Sequence, residues 1–226
     1  MKILTWNCNM NFKNDFSAVQ NLEADILFIQ ECEKVPRDHF KEFDFYWVGQ
    51  NDKKGLGVLT KGPSKFPQDI YRSDFIYFLP VVFQDILIIG AWAFNGRAQK
   101  FGAESSGYFL DVLAHYQEWI RSSDKVVIAG DFNNGPQWDV PGHPNNFVGI
   151  NAALNSLGLY SAYHQISAEK FGMETQPTYF HQRNSKKPFH IDYIYSNLKP
   201  IKSVEVGSFS DWSNLSDHVP VTAVFG

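Results

Sequence analysis

Residues 126–133 read VVIAGDFN, and our fold prediction rests on the pattern in this stretch. A run of apolar, mostly β-branched residues ends abruptly in the polar residues Asp131 and Asn133. Runs that are apolar at every position are typical of strands that are buried on both faces of a sheet. Similar apolar runs recur at residues 3–6, 26–29, 57–60, 78–83, 87–92, 191–195 and 219–225. The pattern therefore predicts many short strands in covered sheets.

Three segments have the spacing of amphipathic helices. The first spans residues 14–22, with Asn14 or Asp15 as its cap. The second spans residues 106–121 and the third spans residues 147–157, each with apolar residues at helical intervals. Many strands and few helices predict an α/β fold in which packed sheets carry helices on their outer faces.

Composition narrows the class of protein. The chain has 226 residues, 44% of them hydrophobic and 19% charged, which excludes a disordered chain and favours one domain over residues 1–226. The net charge of -4 excludes a strongly basic nucleic-acid coat, so a polyanion would need a local patch or a bound metal. Cys8 and Cys32 are too few for a disulfide framework, and no apolar run is long enough to span a membrane. We expect a cytoplasmic protein with no membrane partner.

Side chains with oxygen atoms recur where the predicted strands end. Asn7 and Asn9 are two residues apart and are expected to share one face of an extended segment, as are Asp131 and Asn133. A buried apolar strand gains nothing from a terminal carboxylate, so the recurrence points to a functional rim. Taken singly, each residue is also explained by a turn, a solvated strand end or a helix cap. Further polar residues in such positions are Glu31, Asp192, Asp217 and His218.

Five motifs in a fixed order resemble those of the endonuclease/exonuclease/phosphatase superfamily. They are TWNCN (5–9), IQE (29–31), GDFN (130–133), HIDYI (190–194) and SDHVPV (216–221). The resemblance spans nearly the whole chain. It implies a four-layer α/β/β/α sandwich, with two mixed β-sheets face to face and helices outside. It also implies an enzyme that hydrolyses a phosphoester with water activated by Mg²⁺ or Mn²⁺.

The resemblance implies a metal site of hard oxygen ligands. Glu31 resembles the principal metal ligand, with Asn7 beside it, and Asp217 resembles a further carboxylate on the metal side. Mg²⁺ keeps several waters and takes one or two carboxylates together with phosphate oxygens, which these residues would satisfy.

The resemblance also implies the catalytic groups. Asp131 and Asn133 resemble the pair that orients or deprotonates the attacking water and holds the phosphate. His218 resembles the catalytic histidine, and Asp192 resembles the carboxylate bonded to it. A neighbouring carboxylate raises the pKa of a histidine, so His218 would stay protonated and donate to a phosphate oxygen.

Two positions depart from the pattern of that superfamily. Many members have a histidine or tyrosine where this chain has Trp92. Indole cannot act as an acid or a base, so Trp92 is expected in the core or as a stacking surface at the substrate, and Asn95 becomes the candidate for the phosphate contact. His190 replaces an arginine of many members and is expected either to bind substrate or to pair with a neighbour.

Other candidates for substrate binding are Asn9, Trp138 and His143. The latter two lie in the loop 133–146, whose Gly, Pro and Asn content is typical of a functional excursion. Trp138 with Tyr179 and Phe180 would stack on the bases of a single strand or a frayed end. Small basic clusters would border the substrate, at residues 53–54, 61 with 65, and 183 with 186–187.

These features favour a metal-dependent phosphodiester hydrolase, a nuclease acting on nucleic acid. Binding a long duplex would need more concentrated positive charge, which favours a short or single-stranded phosphodiester. Two alternatives remain open from the residues: a phosphomonoesterase acting on a soluble phosphate ester, and a binding module of the same fold that has lost catalysis.

Overall fold

The computed structural model describes residues 1–93 and 109–226. Its strands are β1 (Lys2–Asn7), β2 (Ile26–Cys32), β3 (Asp44–Asn51), β4 (Lys54–Thr60), β5 (Ser64–Lys65), β6 (Phe78–Phe83), β7 (Ile86–Trp92), β8 (Lys125–Asp131), β9 (Tyr160–Ser161), β10 (Tyr179–Phe180), β11 (Pro188–Phe189), β12 (Asp192–Ser196), β13 (Ile201–Val206) and β14 (Val221–Phe225). Its helices are α1 (Phe12–Gln20), α2 (Phe109–Ser122), α3 (Phe147–Ser156), α4 (Ala162–Ser167) and α5 (Phe209–Trp212).

Most of these strands form two mixed sheets, each of six strands within the described residues. The first sheet has the order β13-β14-β1-β2-β4-β3, and the second has the order β5-β6-β7-β8-β12-β9. The pairs β1–β2 and β7–β8 are parallel, and the other described pairs are antiparallel. The short strands β10 and β11 form a separate hairpin, which lies beside the candidate site.

The two sheets pack face to face, and helices cover their outer faces. Phe28 and Val58 of the first sheet share a buried cluster with Ile88 and Ala129 of the second. On the outer faces, α2 and α3 pack against the second sheet and α1 packs against the first. Both faces of each sheet are therefore covered, which is why the central strands are apolar at every position. The predicted four-layer α/β/β/α sandwich is confirmed.

The edge strands β3 and β13 were not predicted from the sequence. Strand β13 reads IKSVEV, and all of its residues are half-buried or exposed. It is the edge strand of the first sheet, so it lacks the continuous apolar run that identified the central strands. Each of the eight predicted strands is present, with bounds within three residues of those expected.

The first helix begins earlier than the cap residues indicated. Helix α1 begins at Phe12 because the carboxylate of Glu33 accepts the backbone N–H groups of Phe12 and Lys13, at 3.0 and 2.8 Å. That contact comes from the end of β2 and cannot be inferred from the local sequence. The third predicted helix is confirmed as α3, and the start of the second at 106–108 lies outside the described residues. Within the described part of the chain, no helix is both long and apolar enough to cross a membrane.

Candidate active site

The two sheets bring their strand ends together around one carboxylate, that of Asp131. Asp131 closes β8, pairs with Asp192 in the register of β8 and β12, and pairs with Trp92 in the register of β7 and β8. From the other sheet, the Nδ2 atom of Asn7 donates to Oδ2 of Asp131 at 3.0 Å. This hydrogen bond joins the end of β1 to the end of β8 across the sandwich.

Asn7 with Asn9, and Asp131 with Asn133, form matching turns at the ends of β1 and β8. The side-chain oxygen of Asn7 accepts the N–H of Asn9 at 3.1 Å, and that of Asp131 accepts the N–H of Asn133 at 2.8 Å. Asn9 and Asn133 have φ values of 51° and 46°, a left-handed conformation that asparagine tolerates. The expectation that each pair shares one extended face is therefore wrong, because both strands end at the first residue of the pair. The turn instead folds the Nδ2 atom of Asn133 back to Oδ2 of Asp131, at 2.9 Å.

A buried histidine lies between two buried carboxylates. Nδ1 of His218 lies 2.9 Å from Oδ2 of Asp192, and Nε2 lies 3.9 Å from Oδ2 of Asp131. Burial lowers the pKa of His218, but the charges of Asp192 and Asp131 outweigh this effect and raise its pKa to about 10. Burial and the charge of Asp192 raise the pKa of Asp131, which His218 and Asn7 partly oppose. His218 is therefore a cation at neutral pH, beside a carboxylate that is easily protonated.

Glu31 stands in a bulge of β2. The register with β4 shifts between Gln30 and Cys32, and Glu31 has a φ of 58°. Bulges of this kind redirect a side chain and are common next to functional sites. The side chain of Glu31 is 19% exposed, and its Oε2 atom lies 2.9 Å from Nζ of Lys54.

Three carboxylates contribute to the raised pKa of the Tyr179 hydroxyl. Burial of this hydroxyl raises its pKa to about 12, with further contributions from the charges of Asp217, Asp131 and Glu31. The ring of Tyr179 lies against that of His218, with centroids 4.5 Å apart. The charges of Asp217 and Glu31, two of the expected metal ligands, thus act on the hydroxyl of the residue whose ring contacts His218.

The residues present fit a hard divalent cation. Glu31 and Asp217 offer carboxylate oxygens, and the side-chain oxygen of Asn7 has a second lone pair beside the one that Asn9 uses. Asp131, Asp192 and His218 are a second possible grouping, since their ligand atoms lie within 4.8 Å of one another. A protonated imidazole has no lone pair for a metal, so this grouping could hold an ion only with His218 in its neutral form.

An aromatic strip, defined here as Trp138, Phe189 and Tyr179, leads away from His218. Phe189 and Tyr179 are cross-strand partners in the β10–β11 hairpin, with ring centroids 6.2 Å apart. The Trp138 ring lies 4.9 Å from that of Phe189. All three are half-buried. Phe189 was not predicted to stack on bases, although it directly precedes the HIDYI motif. Phe180 was predicted to do so and is instead buried against Phe209.

Two of three further candidates are buried against neighbouring residues, and the third lies outside the described residues. Trp92 is 3% exposed and its ring contacts Tyr77 at 4.7 Å, so of its two expected roles the structure supports the one in the core. His190 is 5% exposed, and its Nδ1 atom lies 2.8 Å from the carbonyl oxygen of Gln176, which supports pairing with a neighbour. Asn95 lies outside the described residues.

Other residues of interest support the loops around the site. His143 is half-buried, and its Nδ1 atom accepts the N–H of Asn145 at 3.2 Å. Arg183 donates to the carbonyl oxygens of Asn214 and Leu215, at 3.2 Å each, and so braces the segment that leads to Asp217. Both thiols, those of Cys8 and Cys32, are buried, and burial raises their pKa.

Solved structures with this fold include three that cover the whole of this chain. The 3′ phosphatase NExo from Neisseria, bound to a product DNA hairpin, has a TM-score of 0.75, and the 3′-5′ exonuclease NExo from Neisseria meningitidis has one of 0.72. Each is 24% identical to this chain. An AP endonuclease from Archaeoglobus fulgidus is 18% identical, with a TM-score of 0.71. The match covers 99% of each of those chains, and at these identities it shows the fold alone.

One curated protein also matches in sequence. The general L-amino acid-binding periplasmic protein AapJ from Rhizobium johnstonii is 24% identical over 223 residues. The match covers 90% of this chain, but the chain spans only 62% of the length of that relative. An identity this low carries no conclusion about function.

A protein-family model matches residues 4–218 of this chain, and this match assigns the family. It includes the ends of β1, β2 and β8 and reaches His218. The residues that converge around Asp131 therefore all lie within the matched segment. The chain belongs to the endonuclease/exonuclease/phosphatase family.

Proposed function

We propose that this protein is a nuclease that hydrolyses phosphodiester bonds in nucleic acid, with Mg²⁺ or Mn²⁺ as its cofactor. The observation that carries the proposal is the buried pair of Asp131 and His218, a carboxylate with a raised pKa beside an imidazolium. Family members and neighbours in fold are hydrolases of phosphoester bonds. We further propose one catalytic domain over residues 1–226, since Ile3 and Phe225 belong to the same buried cluster.

Asp131 is the proposed general base. Its carboxylate is held by Asn7, by the N–H of Asn133 and by the side chain of Asn133, so it has one defined orientation. A carboxylate whose pKa lies near the working pH accepts a proton from water more readily than an ordinary aspartate. Asp131 would thus take the proton of the water that attacks phosphorus.

His218 is the proposed donor to the phosphate. Its Nδ1 atom is engaged by Asp192 at 2.9 Å, which orients the ring. The distance of 3.9 Å between Nε2 and Oδ2 of Asp131 is too long for a hydrogen bond. The Nε2–H group is therefore available to a phosphate oxygen, where its positive charge would stabilise the charge that grows in the transition state.

Glu31, Asp217 and Asn7 would hold the metal ion. A divalent cation at phosphate neutralises negative charge and lowers the pKa of bound water. Glu31→Gln should weaken metal binding, whereas His218→Ala should leave it nearly unchanged. The reverse result would place the metal at Asp131, Asp192 and His218, whose ligand atoms also lie close together.

The aromatic strip supports nucleic acid as the substrate. Bases stack on aromatic side chains regardless of sequence, and the strip begins at the ring that contacts His218. The net charge of -4 favours a short single strand or a frayed end over a long duplex. One structural neighbour is a 3′ phosphatase bound to a product DNA hairpin, which supports a DNA end as the first substrate to test.

The test is hydrolysis by the purified protein with Mg²⁺ or Mn²⁺, with EDTA and Asp131→Asn as controls. The panel contains single- and double-stranded DNA, an abasic duplex, RNA, a DNA end with a 3′ phosphate and a soluble phosphomonoester. Cleavage of a nucleic acid that disappears in both controls is the expected result. Turnover of monoesters alone would replace the nuclease with a phosphomonoesterase, and metal binding without any turnover would indicate an inactive binding module.

A further inference from the structure

Lys54 contacts both the candidate metal ligand Glu31 and the ring of Trp92, which closes β7 in the other sheet. Its Nζ atom lies 2.9 Å from Oε2 of Glu31 and 5.0 Å from the centroid of the Trp92 ring. Trp92 is the neighbour of Asp131 in the register of β7 and β8. The ammonium group of Lys54 thus contacts both the proposed metal ligand and the ring of Trp92, which is the strand neighbour of the proposed base.

This ammonium group and a metal ion need the same carboxylate. Lys54 neutralises Glu31 in the structure, and a divalent cation bound to Glu31 would repel the ammonium group. Lys54 is half-exposed and sits at the start of β4, so its side chain can leave Glu31 without disturbing the core. The face of the Trp92 ring keeps the displaced cation near the site.

A substrate phosphate would replace Glu31 as the anionic partner of Lys54. A phosphodiester would bring a negative charge to the site, where a metal bound to Glu31 would leave the ammonium group of Lys54 without its carboxylate partner. We infer that Lys54 is a substrate-binding residue that Glu31 holds in the metal-free protein and that passes to the substrate phosphate when the metal binds. This inference rests on the proposed function, because it takes Glu31 as a metal ligand and a phosphodiester as the substrate.

The exchange makes the binding of metal and substrate interdependent. Without substrate, Lys54 competes with the metal for Glu31 and weakens metal binding. With substrate, Lys54 contacts the phosphate and no longer competes, so each ligand strengthens the binding of the other. Such coupling is reciprocal by thermodynamic necessity and typically amounts to about 5- to 150-fold in affinity.

The chain contains a matched control for Lys54. Lys34 lies 3.4 Å from Asp52 and 5.7 Å above the ring of Trp47, the same combination of ammonium, carboxylate and indole. Lys34 and Asp52 are both exposed, and neither is one of the proposed metal ligands. Lys34→Met therefore removes an equivalent surface interaction without touching the proposed exchange.

The experiment measures the Kd for Mn²⁺ by calorimetry in the wild-type protein, Lys54→Met, Lys54→Arg and Lys34→Met. Lys54→Met should bind Mn²⁺ about 5-fold more tightly or better, while Lys54→Arg and Lys34→Met should resemble the wild-type protein. A second titration uses a single-stranded DNA oligonucleotide in the Asp131→Asn background, with and without Mn²⁺. Mn²⁺ should tighten DNA binding there, and Lys54→Met should remove most of that gain.

The outcomes separate this inference from the nuclease proposal. An unchanged or weaker Mn²⁺ affinity in Lys54→Met overturns the inference, and so does a gain that Lys34→Met reproduces. If the wild-type protein cleaves nucleic acid in either of these cases, the nuclease proposal stands and only the role of Lys54 fails. If the wild-type protein neither binds Mn²⁺ nor cleaves any substrate, both fail.

Discussion

His218 is bonded to Asp192 through Nδ1, at 2.9 Å from Oδ2 of the carboxylate. The bond joins the start of β12 to the segment before β14, and both groups are buried. Within the described residues, the other oxygen of Asp192, Oδ1, has no hydrogen-bond partner. The charge of Asp192 raises the pKa of His218, which is protonated at neutral pH.

We expect the plot of kcat/KM against pH to be bell-shaped. The base Asp131 must be ionised, and its pKa is raised to about 7, so activity should rise as the pH increases through that range. The donor His218 must be protonated, and its pKa is raised to about 10, so activity should fall as the pH approaches that value. Asp192→Asn removes the largest influence that raises the pKa of His218. The alkaline limb should then move to lower pH, and an unmoved limb would contradict the assignment of His218.

Asp131→Asn and His218→Ala should each abolish most activity without unfolding the protein. Loss of one catalytic hydrogen-bonding group costs about 2.7–4 kcal/mol, which corresponds to roughly 100- to 1,000-fold in kcat. Circular dichroism and the Tm should show folded proteins, because an amide oxygen in place of Oδ2 at position 131 can still accept from the side chains of Asn7 and Asn133. Near-full turnover by purified His218→Ala would refute the proposed mechanism.

Removal of the metal should stop the reaction reversibly. EDTA should abolish hydrolysis, and added Mg²⁺ or Mn²⁺ should restore it, because the oxygen ligands of the site suit hard cations. Glu31→Gln should raise the Kd for Mn²⁺ in calorimetry while the Tm stays close to that of the wild-type protein, since the side chain is partly exposed. Full activity in EDTA would rule out the proposed role of the metal.

The aromatic strip should contribute to binding more than to chemistry. Phe189→Ala should raise the KM for single-stranded DNA, with little change in kcat, because base stacking contributes about 1–3 kcal/mol per base. Tyr160→Ala is the control, since Tyr160 is 39% exposed on β9 and outside the strip. Equal effects of the two variants would exclude the strip as the surface that binds bases.

Gly130 is the residue that allows β8 to deliver Asp131. Its φ is 151°, and a Cβ atom at this position would lie 1.7 Å from the carbonyl oxygen of Ala91. Gly130→Ala should therefore lower the Tm strongly and displace Asp131. Gly142→Ala, also at positive φ but with no atom within 4 Å of the added carbon, should lose only about 1–2 kcal/mol of stability. Chemical denaturation of both variants tests the difference.

Much of the fold follows from local pattern. The central strands are covered on both faces, so each one leaves a continuous apolar run that the sequence shows directly. Edge strands such as β13 have one exposed face and leave a weaker trace. The start of α1 was also not predicted, because its first N–H groups are capped by Glu33, which follows β2 and lies 20 and 21 residues further along the chain.

The local sequence specified the central strands, the order of the motifs along them and the types of side chain available at the strand ends. Which of these side chains meet was set by the packing of the two sheets. The 2.9 Å contact of Lys54 with Glu31, the turns at Asn9 and Asn133, and the inclusion of Phe189 in the strip all depend on strand pairing and sheet packing. The raised pKa of His218 likewise sums burial and charges from several strands. Periodicity is a local property of the chain, whereas distance and electrostatic environment are set only once the two sheets have packed.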